Sequence, residues 1–401
     1  HILMKMKTFI KLNSLILVFL PILSMYKSPL SFLDLGSFAY LLVLPSMLCI
    51  MKSFKLKKDI SFLYILLVYL IISSFFVILG VFQLNNSAST VFIRELKNIF
   101  YIILTIIIYN YNLIDEKSTF RLYERVVIFA STILIIQSIL YYFGHVNVTF
   151  YLKQFINSEL YLDNNIGIVS LYRPSSIFFE PSNFVAYVSF YVCVFPNIIN
   201  NTIIKNKKNA YIKIIIVCLG IILTTSGQGI ILLLFLAVII LKQKNMFKID
   251  VKKLSFIVII FALALVIEVN TNLISNSINR IFDVNTIGGS AISGRSGGYH
   301  ELSALKGLSL WIGTGYCNVI NGVYYTGASF FIYTTGLIGF SLIILLFFQL
   351  SRKNKENFVF LLYYFVSTFM NTTILSYNLM FFLILFLFIK KEQILILEGK
   401  Q

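Results

Sequence analysis

The chain has 401 residues, of which 58% are hydrophobic and 12% are charged, and its formal net charge at pH 7 is +17. Soluble domains hold about 25% charged and about 45–50% apolar residues, so this composition excludes an ordinary soluble protein. Apolar runs of about 17–25 residues recur along the chain, and each is long enough to cross a bilayer core as a helix. The sequence therefore predicts an all-α integral membrane protein, built as a polytopic helical bundle.

We predict about twelve transmembrane helices in a single polytopic membrane domain that covers residues 1–401. In chain order the spans are 9–26, 30–50, 60–82, 92–110, 124–143, 178–199, 211–225, 228–241, 254–270, 328–349, 357–374 and 376–389. The two short spans on either side of TTSGQG, residues 224–229, have one alternative, which is a single re-entrant hairpin.

The basic residues follow this predicted topology. With the N-terminus in the cytoplasm, about 25 of the 33 Lys and Arg side chains fall in cytoplasmic segments, as the positive-inside rule expects. The net charge therefore indicates a topology with both termini in the cytoplasm, and no nucleic-acid partner. The sequence shows no nucleotide-binding or zinc-protease motif, and its four cysteines have no metal-site or disulfide spacing, so we predict no metal and no cofactor.

Two of the predicted outer loops are long, 144–177 and 271–327. Loops longer than about 12–15 residues are usually functional or disordered, and these two are rich enough in aromatic and aliphatic residues to pack. In the second loop, SGRSGGYHELSALKGLSLW, residues 293–311, predicts a glycine-rich entry followed by an amphipathic helix. That helix would place four apolar residues on one face: Leu302, Leu305, Leu308 and Trp311.

The positive-inside rule predicts few basic residues on the outer side of the membrane. The two outer loops nevertheless carry five: Lys153, Arg173, Arg280, Arg295 and Lys306. An anionic ligand or a protein carboxylate must compensate this charge. The planar fork of arginine matches phosphate, which favours a cluster that holds a pyrophosphate. Ion pairs with Glu180, Asp283 or Glu301 are the alternative interpretation, and the residue types leave both open.

The stretch RPSSIFFEPSN, residues 173–183, places Arg173 and Glu180 each before a proline. Proline fixes φ and keeps the preceding residue extended, so we expect both charged residues to lie outside regular helix. Ionisable residues at membrane depth are costly and are usually functional. A structural Arg–Glu ion pair at the end of a span is the alternative.

The chain resembles the bacterial O-antigen polymerase and ligase family. The resemblance covers about residues 170–340 and is carried by RPSSIFFEPSN, TTSGQGIILL, SGRSGGYHELSALKGLSLWIGTGYCN and GASFFIYTTGLIGF. Gln228 stands where the family commonly has an arginine, and Arg295 lies farther from Gly313 than is typical. His300 lies closer to Arg295 than the corresponding histidine of the ligase branch does.

The resemblance implies a polymerase that transfers a growing glycan from undecaprenyl pyrophosphate to a new lipid-linked repeat unit at the periplasmic face of the bacterial inner membrane. It implies membrane lipids and a chain-length regulator as further partners. Arg173 and Arg295 would hold the pyrophosphate, and Glu180 or His300 would act as the base. Further expected residues bind substrate or shape the site: Arg280, Tyr172, Tyr299, Lys306, Pro174, Pro181, Gly294 and Gly313. The alternatives are an O-antigen ligase, and a polysaccharide flippase or secondary transporter.

Overall fold

The computed structural model describes residues 2–30, 32–50, 56–156, 172–199, 207–242, 291–354, 357–372 and 376–389. These residues form α-helices that we number in chain order: α1 Ile2–Leu23, α2 Leu35–Ile50, α3 Ser61–Ile78, α4 Ala88–Tyr111, α5 Glu116–Gly144, α6 Pro181–Ile199, α7 Lys207–Leu223, α8 Gly227–Lys242, α9 Ala291–Glu301, α10 Leu308–Ile312, α11 Gly327–Lys353, α12 Phe358–Thr368 and α13 Ser376–Phe388. Within these ranges the β-structure is limited to one isolated bridge between Lys27 and Asp34. The described chain is therefore all-helical, as predicted.

Within the part of the chain that the structure describes, three helical segments are long and apolar enough to cross a membrane, namely Lys58–Ile78, Glu116–Gly144 and Gly327–Lys353. Several shorter apolar helical stretches accompany them, which form α12 and α13 and most of α1, α2, α6 and α8. The sequence prediction of membrane-crossing helices is confirmed at this level.

A helix lies at every predicted span except 254–270, which is outside the described residues. The span predicted from residue 30 begins later, at Leu35, because Asp34 caps α2 by accepting from the Ser37 amide (2.7 Å). The Ser28 hydroxyl stabilises the turn before α2 by donating to the carbonyl oxygens of Leu30 (2.7 Å) and Leu33 (3.0 Å).

The chain divides into two compact units. Unit 1 comprises residues 1–119 and 293–390, and unit 2 comprises residues 120–292 and 391–401. In unit 1, α4 packs against α3 and α13, and α11 packs against α3 and α10. In unit 2, α6 packs against α7 and α8.

Helix α11 of unit 1 is broken at Gly336, whose φ of 65° and ψ of −169° are not helical. A Cβ at Gly336 would overlap the backbone of Trp311, and a Cβ at Gly313 would overlap the backbone of Thr334. The chain around α10 thus crosses α11 backbone to backbone, which only glycine permits. At 1.5 Å per residue, about 20 Å of helix separates this crossing from Gln349 near the end of α11.

The carbonyl groups that the break frees find new donors within unit 1. The Tyr69 hydroxyl donates to the Thr335 carbonyl (2.7 Å), and the Thr314 amide donates to the Tyr333 carbonyl (3.0 Å). The loop beyond the crossing is held by Asn318, which accepts from the Asn85 amide (2.9 Å) and donates to the Gln83 carbonyl (2.8 Å). Non-helical backbone at membrane depth is tolerated when it is satisfied in this way.

The prediction of a glycine-rich entry followed by an amphipathic helix at 293–311 is wrong. The glycine-rich part is itself the helix α9, because Gly298 allows close contact with Ser329 and Tyr325, where a Cβ would lie 2.6 Å and 2.9 Å from their side chains. The predicted helix is interrupted at Gly307, which has a φ of 56°. As a result Leu305 is buried, whereas Leu308 and Trp311 are exposed.

Candidate functional site

The segment 172–180 of unit 2 runs as non-helical chain beside α5. Ser176 anchors it, because its amide donates to Gln137 Oε1 (2.8 Å) and its hydroxyl donates to the Ala130 carbonyl (2.6 Å). Ala130 is near the middle of α5, about 20 Å of helix from Gly144. The segment therefore reaches deep along the longest apolar helix, and Ser176 is fully buried with a φ of 59°.

Arg173 and Glu180 lie outside regular helix, as the prolines predicted. Glu180 caps α6, since its carbonyl accepts from the Asn183 amide (3.0 Å), and Pro181 occupies the first helical position, where a missing N–H costs nothing. The Ser182 hydroxyl donates to Glu180 Oε2 (2.9 Å). Arg173 and Glu180 are both half-buried, whereas Pro174 and Pro181 are buried.

The ring of Tyr172, which we predicted to contact substrate, packs against another aromatic ring of the protein. It stacks on Tyr141 with ring centroids 4.0 Å apart and planes at 9°, and its hydroxyl donates to the Val148 carbonyl (3.4 Å). Burial, followed by the neighbouring phenols of Tyr141 and Tyr151, raises the pKa of Tyr172 to about 12. The phenol therefore stays neutral near pH 7 and positions the start of the segment.

The turn between α7 and α8 lies at the same depth as the start of α6. A Cβ at Gly220 would be 3.3 Å from Phe184 and 3.4 Å from Ser131, so α5, α6 and α7 meet there. A Cβ at Gly229 would be 3.4 Å from Val185. Gly229 is the third residue of α8 and Val185 is the fifth residue of α6, so the two helices begin close to each other.

Two neighbouring helix N-termini concentrate positive partial charge and backbone N–H groups, which suits an anion. Ser226 caps α8, because its carbonyl accepts from the Gly229 amide (2.8 Å). Beside this cap, Thr225 is buried, with 7% of its surface exposed. Its Oγ1 has no hydrogen-bond partner among the described residues, and its φ of 53° is an unusual backbone conformation for a β-branched residue.

The sequence interpretation missed Thr225 and Ser226 as site residues. Unlike the Thr225 hydroxyl, the hydroxyl of the neighbouring Thr224 has two partners: it donates to the Ile221 carbonyl (2.6 Å) and accepts from the Ser226 amide (3.2 Å). A serine followed by Gly-x-Gly at the start of an apolar run is a helix-start signal, so the pattern TTSGQG could have identified the α8 terminus. The left-handed backbone of Thr225 has no sequence signal.

The other predicted site residues that the structure describes lie in unit 1. The Tyr299 hydroxyl forms two hydrogen bonds within the protein: it donates to the Phe369 carbonyl (2.9 Å) and accepts from the Thr326 hydroxyl (2.9 Å). His300 and Lys306 are exposed. Gly313 forms the crossing with α11 described above.

Three predicted residues are described in part or not at all. Gly294 and Arg295 belong to α9, but the surroundings of Gly294, the side chain of Arg295 and the whole of Arg280 are outside what the structure describes. Their roles stay predictions.

Three further ionisable residues lie in α4 of unit 1. Lys97 forms a salt bridge with the buried Asp34. Arg94 is exposed. Glu95 is buried, and its Oε1 has no hydrogen-bond partner among the described residues.

Neither models of known protein families nor a search of curated proteins gives a match to this chain.

Proposed function

We propose that this protein is a membrane glycosyltransferase of the O-antigen polymerase type, with twelve spans, cytoplasmic termini and a site open to the periplasm. One observation carries the proposal. The starts of α6 and α8 lie side by side deep along α5, next to the non-helical segment that holds Arg173 and Glu180. A lipid-linked pyrophosphate needs such an anion-binding position at membrane depth, and the apolar surroundings suit its polyprenyl chain.

The reaction would proceed by one substitution at the anomeric carbon of the donor glycan. The acceptor hydroxyl oxygen forms the new glycosidic bond, the bond from that carbon to the pyrophosphate oxygen breaks, and undecaprenyl pyrophosphate leaves with the bonding electrons. Glu180 takes the hydroxyl proton. Arg173 and the positive N-terminal ends of α6 and α8 stabilise the leaving charge, and a donor placed on developing charge contributes about 10²–10³-fold to the rate. Cleavage of the glycosyl–pyrophosphate bond supplies the free energy of the transfer.

The proposal is tested in a strain that lacks the gene, by gel analysis of lipopolysaccharide with complementation. We expect core lipid with a single repeat in the deletion strain and a restored ladder on complementation. Arg173→Ala and Glu180→Gln should each fail to restore long chains at matched protein level. Arg94→Ala, which removes an exposed arginine of α4, is the control and should restore the ladder.

Full-length polymer in both Arg173→Ala and Glu180→Gln would reject the site. Bare core with long polymer left on the carrier lipid would instead indicate a ligase. An unchanged ladder in the deletion strain would remove lipopolysaccharide from the proposal.

A transporter of the same lipid-linked glycans is the second candidate. It is supported by the depth of the α6 and α8 starts, since secondary carriers bind substrates near the membrane midplane at the ends of discontinuous helices. Bare core with single lipid-linked repeats trapped at the cytoplasmic face of the deletion strain would favour it.

A further inference from the structure

A basic cluster lies where α3 begins and α11 ends, and it consists of Lys57, Lys58, Arg352 and Lys353. The two helix ends are joined by Gln349, whose Nε2 donates to the Lys58 carbonyl (2.9 Å) and to the Ser61 hydroxyl (2.8 Å). The positive-inside rule assigns this end of the helices to the cytoplasmic surface.

Two of the four cations are committed to contacts within the protein. Lys57 Nζ donates to the Tyr109 carbonyl (2.6 Å) and to Asn112 Oδ1 (2.8 Å), and Lys353 Nζ is 2.5 Å from Asp59 Oδ2. Both ammonium groups also contact the ring of Tyr109, with 4.3 Å and 4.5 Å to its centroid. Burial, followed by repulsion from Lys353, lowers the pKa of Lys57, and the neighbouring Asp59 carboxylate acts in the opposite direction.

The other two cations, Lys58 and Arg352, are exposed, and within the described ranges neither forms a salt bridge. Arg352 is held in place over the ring of Phe348, 4.2 Å from its centroid. The sequence around the cluster is also unbalanced, since residues 52–59 and 352–356 contain seven basic side chains and two acidic ones. The cluster therefore offers two exposed cations to an anion, and Phe348 orients one of them, Arg352.

An exposed apolar face continues from each of these cations along its helix. On α11 it begins with Phe348, four residues before Arg352, and continues through Leu345. On α3 it continues from Lys58 through Ile65 and Val68. Basic pockets between transmembrane helices at the cytoplasmic surface bind anionic headgroups.

We propose that this cluster is a binding site for an anionic phospholipid. Lys58 and Arg352 hold its phosphate, and its acyl chains lie against the exposed apolar faces of α3 and α11. The exposed apolar faces favour a lipid over a soluble phosphate compound. The proposal is independent of the glycan chemistry proposed for unit 2.

Native mass spectrometry of the purified full-length protein, titrated with phosphatidylglycerol and separately with phosphatidylcholine, tests the site. We expect preferential binding of phosphatidylglycerol. Lys58→Gln with Arg352→Gln should weaken it by about 30-fold, because each basic residue near a membrane surface strengthens anionic-lipid binding by about fivefold. Lys58→Arg with Arg352→Lys should keep most of the affinity, and Arg94→Gln should keep all of it.

Three results would overturn the proposal. One is equal binding of the two lipids, and another is unchanged phosphatidylglycerol binding in the Lys58→Gln, Arg352→Gln protein. The third is displacement of the lipid by an equal concentration of glycerol phosphate, which would show that the phosphate alone accounts for binding. The thermal unfolding temperature of each variant shows whether a loss of binding reflects a loss of fold.

Discussion

Both units bring non-helical chain into a helical bundle, and they stabilise it in different ways. In unit 1 the backbone groups at the crossing of Gly313 and Gly336 are hydrogen-bonded, because the carbonyls of Tyr333 and Thr335 that the break frees accept new bonds. In unit 2 the turn before α8 contains a residue with a positive φ and a buried hydroxyl that has no partner among the described residues, Thr225. Strain combined with an unsatisfied buried group is a reason to test a position for function, and unit 1 has the same combination at Ser376, whose φ is 57° and whose buried Oγ has no hydrogen-bond partner among the described residues.

The difference extends to the ends of the helices. In unit 1, Thr326 caps α11 with a reciprocal bond to Ser329, so the first N–H groups of that helix are occupied. In unit 2, α6 and α8 begin close together, and the backbone carbonyls of Glu180 and Ser226 cap them. The positive ends of two neighbouring helix dipoles suit an anionic ligand.

The largest effect is expected at the unit 1 crossing. Gly313→Ala or Gly336→Ala places a Cβ on backbone atoms at a φ of 79° or 65°, so both overpacking and left-handed strain oppose folding. We expect a loss of about 3–5 kcal/mol, measured by thermal unfolding in detergent and by the yield of monodisperse protein.

Gly307→Ala and Gly322→Ala are the matched controls. Both glycines also have a positive φ, but a Cβ there would meet no atom within 4 Å. We expect each to cost about 1–2 kcal/mol, since only the backbone strain remains. Equal losses at all four glycines would show that the close crossing does not stabilise the fold.

A smaller effect is expected from the donor that satisfies the broken helix. Tyr69→Phe removes the hydroxyl that donates to the Thr335 carbonyl, and leaving a buried acceptor unsatisfied costs about 1–3 kcal/mol. Tyr40→Phe is the control in the same unit, because the Tyr40 hydroxyl is buried without a hydrogen-bond partner among the described residues. Its removal should leave the unfolding temperature unchanged or raised. A similar loss in both variants would contradict this account of the break.

The sequence predicted the structural features that depend on neighbouring residues along the chain. It did not predict those that depend on contacts between distant residues. Proline placed Arg173 and Glu180 outside helix, because its effect on φ is independent of context. Glycine-rich α9 escaped prediction, since glycine disfavours helix locally and the contact of Gly298 with Ser329 overrides that preference. The salt bridge between buried Asp34 and part-exposed Lys97 joins residues far apart in sequence, which no local pattern could reveal.

The smallest change in stability, with the largest change in function, is expected at the turn before α8. Thr225→Val keeps the shape and the backbone strain but removes the unpartnered hydroxyl, so stability should change by less than about 0.5 kcal/mol. If that hydroxyl contacts the lipid-linked pyrophosphate, the variant should shorten or abolish the glycan ladder. Thr224→Val removes a hydroxyl with two partners and should cost about 1–2 kcal/mol while the ladder persists at matched protein level. The opposite pattern, with stability lost in Thr225→Val and the ladder intact, would make the turn a structural feature like the crossing in unit 1.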